Sequence, residues 1–297
     1  MIVFEQFNGE VPIPDNKLSS LFNFIGEQLK DEYQSQELNH IRWLLIEHFA
    51  EITAVEYRKN PNQLVNHSVL LSINGAIQLL KKQVPVQYIT GKQFFYEHTF
   101  FVNEHTLIPR PETEELVDQI VKTYKGSSPC ILDIGTGSGC IALSVKTGIP
   151  NATVYALEVS EKALGVARRN EELLKVNINW LHADVFTDEW LNNFKELDVI
   201  VSNPPYVLNA EMNAMEKRVV SYEPHLALFV NDDDPLVYCR RIAEIGKKIL
   251  KFSGKIFLEI NEKYGAETTR LFLEYGYKNA IIKYDLSGKS RFVIVTK

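Results

Sequence analysis

The sequence predicts an α/β fold in which a seven-stranded, mostly parallel sheet follows a small N-terminal helical domain and a β-hairpin linker. Three observations lead there. Apolar residues recur at helical spacing through the first 83 residues. Seven short apolar strands come later, at 130–134, 153–157, 178–182, 197–202, 255–260, 279–284 and 291–296. Glycines or a helical stretch such as 161–172 follow the early strands, the alternation expected of a parallel sheet. With 297 residues, 45% of them apolar, the chain can bury a sizeable core and form two domains.

The helical domain is expected over residues 1–83. Leu18, Leu21, Phe22, Ile25 and Leu29 form one stripe, and Leu38, Ile41, Leu45 and Phe49 a second. A third helix covers about 66–82, after the break at Asn60-Pro61-Asn62. The linker, 84–106, contains two aromatic runs, 92–96 and 99–102, that flank Glu97-His98 as a hairpin whose rings serve packing. The remaining domain, 107–297, opens with Pro109 and Pro111 around Arg110, then the acids of 112–115, ordinary chemistry for entering a helix. At the other end, only a short turn with Ser287-Gly288 separates the last two strands, so they pair antiparallel at one end of the sheet.

Chemistry concentrates where the first four strands of the sheet end. After the first, Gly135-Thr136-Gly137-Ser138-Gly139 leads into a helix, and glycines there let a ligand approach the amides of the helix N-terminus. A dinucleotide fingerprint needs glycine at position 140, where this chain has Cys140, so a nicotinamide pyrophosphate fits poorly. Glu158 closes the second strand, where a carboxylate accepts hydrogen bonds from both hydroxyls of a ribose or serves as a helix-start acid. Asp184 follows the third strand and suits the exocyclic amine of an adenine, although such an aspartate taken singly is more often a turn residue.

After the fourth strand comes Asn203-Pro204-Pro205-Tyr206. The lone pair of an amide or arylamine nitrogen is conjugated, so the nitrogen attacks only when its pair is drawn out of conjugation. The Asn203 side-chain oxygen and the Pro204 carbonyl can each accept one N–H of an NH2 group, aiming the lone pair at an electrophilic methyl. Pro205 keeps Pro204 extended, so its carbonyl takes no helical hydrogen bond. Tyr206 can cover the flat face of the target. Alone, Asn-Pro after a strand is also a common turn. Four such features on consecutive strands share the carboxyl edge of one sheet, where open α/β sheets bind ligands.

With these residues in place, the chain resembles the class I S-adenosylmethionine methyltransferases, and within them the protein N5-glutamine methyltransferases that modify peptide chain release factors, the PrmC/HemK family. The likeness runs over nearly the whole chain. It includes Pro85-Val86-Gln87-Tyr88-Ile89-Thr90-Gly91, Leu107-Ile108-Pro109-Arg110-Pro111-Glu112-Thr113-Glu114, Tyr222-Glu223-Pro224, and Asp285-Leu286-Ser287-Gly288 with Arg291. The chain departs from the family pattern in the segment Phe229 to Leu236 and at Asn261, where relatives carry a glycine-rich loop and a glycine. The resemblance implies a Rossmann-like methyltransferase sheet, S-adenosylmethionine as cofactor, and transfer to the glutamine of a Gly-Gly-Gln tripeptide in class 1 release factors. Carried over residue by residue, it implies that Gly135, Thr136, Gly137, Ser138 and Gly139 hold the methionine end of the cofactor. Glu158 would hold the ribose and Asp184 with Val185 the adenine, while Asn203, Pro204, Pro205 and Tyr206 clamp the target amide, Asn203 also bordering the cofactor. Substrate recognition by the helical domain is implied in the same way.

Composition narrows the alternatives. A net charge of −6 gives no support for a broad nucleic-acid surface, which disfavours modification of adenine N6, the other planar amine posing the same lone-pair problem. An NAD-dependent oxidoreductase is disfavoured by Cys140 and leaves Asn203 to Tyr206 unexplained. Three widely spaced cysteines without a signal peptide read as reduced, mostly buried cytoplasmic thiols. The seven histidines show no ligand spacing, so no metal is expected, and no apolar run approaches the roughly 20 residues that cross a bilayer.

Overall fold

The computed structural model describes residues 15–194 and 196–297, so the first fourteen residues of the expected 1–83 domain lie outside the described residues. The chain divides into two compact units, one made of residues up to Gly91 with Lys217–Tyr222, the other of Lys92–Glu216 with Glu223–Lys297.

In the first unit the apolar stripes become helices. These are α1 (Leu18–Leu29), α2 (Ser35–Phe49), α3 (Ala54–Lys59), α4 (His67–Lys81) and α5 (Val86–Thr90). Leu18, Leu21, Ile25 and Leu29 of α1 are fully buried, as are Leu45 of α2 and Ile73 and Ile77 of α4, and α1 packs against both of those helices. Phe22, on the edge of its stripe, joins Trp43 and Tyr57 in an aromatic group with ring centroids 4.7 and 5.3 Å away. The helices α3 and α5 have only six and five residues, too few for periodicity to reveal. A capping box starts α3: the Thr53 hydroxyl accepts from the Glu56 amide at 3.3 Å, and the Glu56 carboxylate accepts from the Thr53 amide at 2.8 Å. The short helix α9 (Lys217–Tyr222) joins this unit from far along the chain. Arg218 pairs with Glu37, and the Tyr222 hydroxyl donates to the Lys82 carbonyl at 2.8 Å.

The second unit begins with the hairpin β1 (Lys92–Phe95) and β2 (His98–Phe101). Its turn is Tyr96-Glu97, both at positive φ, one residue earlier than the sequence suggests. Phe95 and Phe100 are buried edge to face, a packing role. Then come α6 (Pro111–Tyr124), β3 (Cys130–Ile134), α7 (Cys140–Gly148), β4 (Thr153–Glu158), α8 (Glu161–Leu174), β5 (Asn179–His182) and β6 (Leu197–Ser202). A two-residue pair, β7 (Val207–Leu208) with β8 (Phe229–Val230), precedes α10 (Val237–Ile249), β9 (Leu250–Glu259), α11 (Gly265–Glu274), β10 (Asn279–Tyr284) and β11 (Ser290–Thr296).

Seven strands form one sheet in the order β10-β11-β9-β6-β3-β4-β5. Only β11 runs antiparallel to its neighbours, so the expected terminal hairpin is present on an otherwise parallel sheet. Both faces are covered, which is why the strands read as continuous apolar runs. Leu132, Ile134, Ile200 and Leu258 pack toward α10 and α11, whereas Ile131, Val154, Val199 and Phe257 pack toward α6 and α7. Cys239 is buried but Cys130 and Cys140 are only partly so, fewer than the sequence suggests, and all three thiols are free. Among the described residues no helix is long and apolar enough to cross a membrane.

Candidate active site

Strand order brings the carboxyl ends of β6, β3, β4 and β5 side by side, with chain direction across the sheet reversing at β3. That switch point opens a crevice. A cavity of about 390 Å³ fills it. It is lined by Gly135, Thr136, Gly137 and Ser138 after β3, Glu158 at the end of β4, Asp184 and Val185 after β5, and Asn203, Pro204 and Pro205 after β6. Gly139 and Tyr206 do not line it.

The loop after β3 turns through Gly135, Gly137 and Gly139, with φ of +75°, +55° and +80°. A Cβ added at 135 or 137 meets no atom within 4 Å and would occupy open space, whereas one at 139 comes within 2.9 Å of Leu143 Cδ1 and 3.1 Å of Trp180. Two glycines therefore keep a cradle empty, and the third allows α7 to pack closely. The Gly135 and Thr136 amides donate to the Leu157 carbonyl at 2.8 and 3.1 Å. Asn170, fully buried on α8, donates to the Ser138 carbonyl at 2.9 Å.

Two carboxylates flank the loop. Glu158 accepts from the Gly137 amide at 2.9 Å with one oxygen and from the Ser160 amide at 3.0 Å with the other. Asp133, which the sequence reading passes over, lies beneath. Its Oδ2 accepts from the Thr136 hydroxyl at 2.6 Å and the Ala142 amide at 3.2 Å, while its buried Oδ1 has no hydrogen-bond partner among the described residues. Burial pushes Asp133 up to about 7, the nearby Glu158 charge adding to the effect and the two hydrogen bonds opposing it. The signal was visible in sequence as an acid inside the apolar strand Ile131-Leu132-Asp133-Ile134.

Asp184 is both a turn residue and a wall of the cavity, its Oδ1 accepting from the Phe186 amide at 2.9 Å. Arg241 of α10 pins this loop from behind, donating to the Val185 carbonyl at 2.7 Å and the Thr187 carbonyl at 2.6 Å. Phe186 and Tyr238, with ring centroids 5.1 Å apart, complete this wall.

On the opposite side, Asn203 Nδ2 donates to Thr113 Oγ1 at 3.2 Å. The Thr113 hydroxyl donates to Glu259 Oε2 at 2.7 Å, and the Tyr206 hydroxyl donates to Glu259 Oε1 at 2.9 Å. Tyr206 thus engages a buried carboxylate instead of facing the cavity. Burial pushes Glu259 above the ordinary glutamate range, against the pull of those two donors and of Arg291. Asn261 donates to the Tyr206 carbonyl at 3.2 Å and to Glu211 at 3.0 Å, and so braces the segment Asn203 to Tyr206. Arg110 and Glu223 pair at 2.5 Å, and Glu223 also accepts from the Ile108 amide, which joins two of the segments singled out in the sequence beside the cavity. Asp285 accepts from Arg291 at 3.1 Å, tying together the last of the four segments singled out in the sequence.

Among the described residues no group of three or more His, Cys, Asp or Glu side chains is placed to hold a metal ion. A nucleotide-type cofactor fits what is present: an open glycine cradle, two strand-end acids, Glu158 and Asp184, on the cavity wall, and beneath the loop a buried Asp133 oxygen without a partner among the described residues.

Comparison with known proteins gives matches to two family models, the PrmC N-terminal domain over residues 20–91 and the methyltransferase small domain over residues 111–225. The chain is 41% identical to the release factor glutamine methyltransferase of Flavobacterium psychrophilum, over 91% of its own length and 95% of that protein. It is 38% identical to the protein of the same description from Bacteroides thetaiotaomicron, over 92% and 98%. Among solved structures, the hMettl16 catalytic domain in complex with the MAT2A 3'UTR hairpin 6 shares the fold, with a TM-score of 0.51 and 17% identity, over 66% of this chain and 74% of that one.

Proposed function

The chain belongs to the release factor glutamine methyltransferase family, and from that premise we propose that it methylates the side-chain amide nitrogen of the glutamine in the Gly-Gly-Gln tripeptide of class 1 release factors, with S-adenosylmethionine as donor. The observation that supports this most is the meeting of the glycine loop and Glu158 with Asn203, Pro204 and Pro205 around one cavity. The cofactor supplies an electrophilic methyl carried on a sulfonium. Gly135 to Gly139 would hold its methionine end, Glu158 its ribose, and Asp184 with Val185 its adenine. The protein's part in the chemistry is positioning: the Asn203 oxygen and the Pro204 carbonyl orient the incoming NH2, and the apolar walls exclude water. No strong base is called for, since the nitrogen can lose its proton after it has bonded to carbon. We assign docking of the release factor to the helical unit, and with such a substrate the place of action is the cytoplasm.

The test is mass spectrometry of a release factor and of a duplex DNA, each incubated with enzyme and methyl-labelled cofactor. Label on the Gly-Gly-Gln peptide, lost when that glutamine is changed to glutamate, is the expected result. Label on adenine, or continued labelling of the glutamate variant at that position, overturns it.

Cofactor binding also has an expected proton signature. Asp133, raised to about 7 by burial, is partly protonated near neutrality, and a cationic ligand against the neighbouring loop lowers it again. Binding at about pH 7 therefore releases a fraction of a proton, and binding about two units higher releases almost none because the carboxyl is already ionised. Titration calorimetry in two buffers of different ionisation enthalpy measures this. Asp133→Asn abolishes the buffer dependence, and its absence in the unmodified protein would mean that the cofactor's cation sits elsewhere.

A further inference from the structure

We propose that Glu259 is a positioning residue for methyl transfer, fixing through Thr113 which way round the Asn203 amide sits; this rests on the reading of Asn203 as the amide clamp. Against its burial, the Thr113 and Tyr206 hydroxyls and the Arg291 charge favour the ionised form of Glu259, and an ionised carboxylate only accepts hydrogen bonds, whereas a threonine hydroxyl has one proton to give and lone pairs to receive. Glu259 is 2% exposed, and its two oxygens are each taken, one by the Tyr206 hydroxyl at 2.9 Å and the other by the Thr113 hydroxyl at 2.7 Å. The single proton of Thr113 is thereby committed to Glu259. Toward Asn203 its oxygen can only accept.

The end of the Asn203 amide that donates is Nδ2, and it lies 3.2 Å from Thr113 Oγ1. The carbonyl end, Oδ1, is then turned away from Thr113 and left to receive an N–H of the target. A reversed amide would set Oδ1 against the lone pairs of Thr113 and offer an NH2 group to an incoming NH2 group. Both contacts are repulsive. Remove the carboxylate and the Thr113 hydroxyl donates or accepts equally well, so both orientations of Asn203 become available and part of the enzyme presents the wrong end. Tyr206 enters the same scheme from the far side, holding the carboxylate in place. Neither Thr113 nor Glu259 has to touch the reacting atoms.

The test uses the full chain, a release factor and S-adenosylmethionine. Thr113→Val keeps the side-chain shape and removes both hydrogen-bonding functions. It is expected to lower kcat roughly tenfold, the scale of one lost hydrogen bond, with the cofactor Kd and the release-factor KM changed by less than about twofold. Thr113→Ser, which restores the hydroxyl, recovers kcat. Glu259→Gln, nearly isosteric, lowers kcat without moving KM and gives the same information should valine disturb folding. A merely structural role is separated by a double-mutant cycle. In an Asn203→Ala background there is no amide left to orient, so Thr113→Val has no further effect on kcat. Unaltered kcat in both Thr113→Val and Glu259→Gln, or an equal fall in the Asn203→Ala background, overturns the proposal. Failure of the wild-type enzyme to label the glutamine overturns the functional reading and this proposal with it, whereas labelling with an unperturbed relay overturns the relay alone.

Discussion

Alanine at position 203 lowers the single-turnover rate of methyl transfer by about a hundredfold or more, the scale of losing one preorganised polar contact to a reacting group. Affinity for S-adenosylmethionine changes by less than about tenfold, because the residues proposed to hold it lie mainly on the other strand ends. Folding survives, since Asn203 is only partly buried and, among the described residues, the side-chain hydrogen bond lost is that to Thr113. Asn203→Asp is the sharper comparison. It keeps an acceptor for the target but replaces the Nδ2 donor with a second oxygen facing Thr113, whose proton already belongs to Glu259. It also sets a negative charge near a cation that is neutralised as the methyl moves, favouring the ground state over the transition state. Aspartate therefore slows transfer even where the substrate still binds. Rapid-quench rates with cofactor titrations on both variants separate the two effects, and near wild-type transfer in the alanine variant would rule out an amide clamp at Asn203.

The parts of this site legible in the sequence are those that sit directly after a strand. A buried strand is a continuous apolar run, and the residues that end it stand out against it, as Gly135, Glu158, Asp184 and Asn203 do. Parallel order then gathers them without any further information. What escaped was whatever depends on distant pairing. Thr113 and Glu259 are 146 residues apart and meet only because α6 packs near the end of β9. Arg241 looks like one more charge on an amphipathic helix until the fold turns it under the Val185 carbonyl. The joining of α9 to the helical unit has no local signature at all. The hairpin turn was misplaced for a different reason. Tyr96 and Glu97 both adopt positive φ, a conformation that two-residue turns usually assign to asparagine or glycine, so local preference pointed one residue on. Tyr206 illustrates a third case: a motif gives a residue's neighbourhood, but the buried Glu259 decides where the phenol goes.

Glu158 carries the largest expected effect on cofactor affinity. Its two oxygens accept from the Gly137 and Ser160 amides, which holds the glycine loop against the end of β4. Each carboxylate oxygen has a second lone pair, so the same group can receive ribose hydroxyls without giving up the loop. Replacing it by alanine removes both functions and is expected to weaken S-adenosylmethionine binding by about 1.5–3 kcal/mol, roughly tenfold to a hundredfold or somewhat more. Glu158→Gln keeps the length of the side chain and one acceptor, and falls between. The two functions are separated by the ligand. Against a 2′,3′-dideoxy analogue of the cofactor there are no ribose hydroxyls to lose, so the difference between glutamate and alanine shrinks to the share that comes from holding Gly137. If calorimetry finds the alanine variant weakened equally toward the cofactor and its dideoxy analogue, Glu158 acts on the loop alone and the ribose assignment fails. Unchanged affinity for both would remove it from the cofactor site altogether.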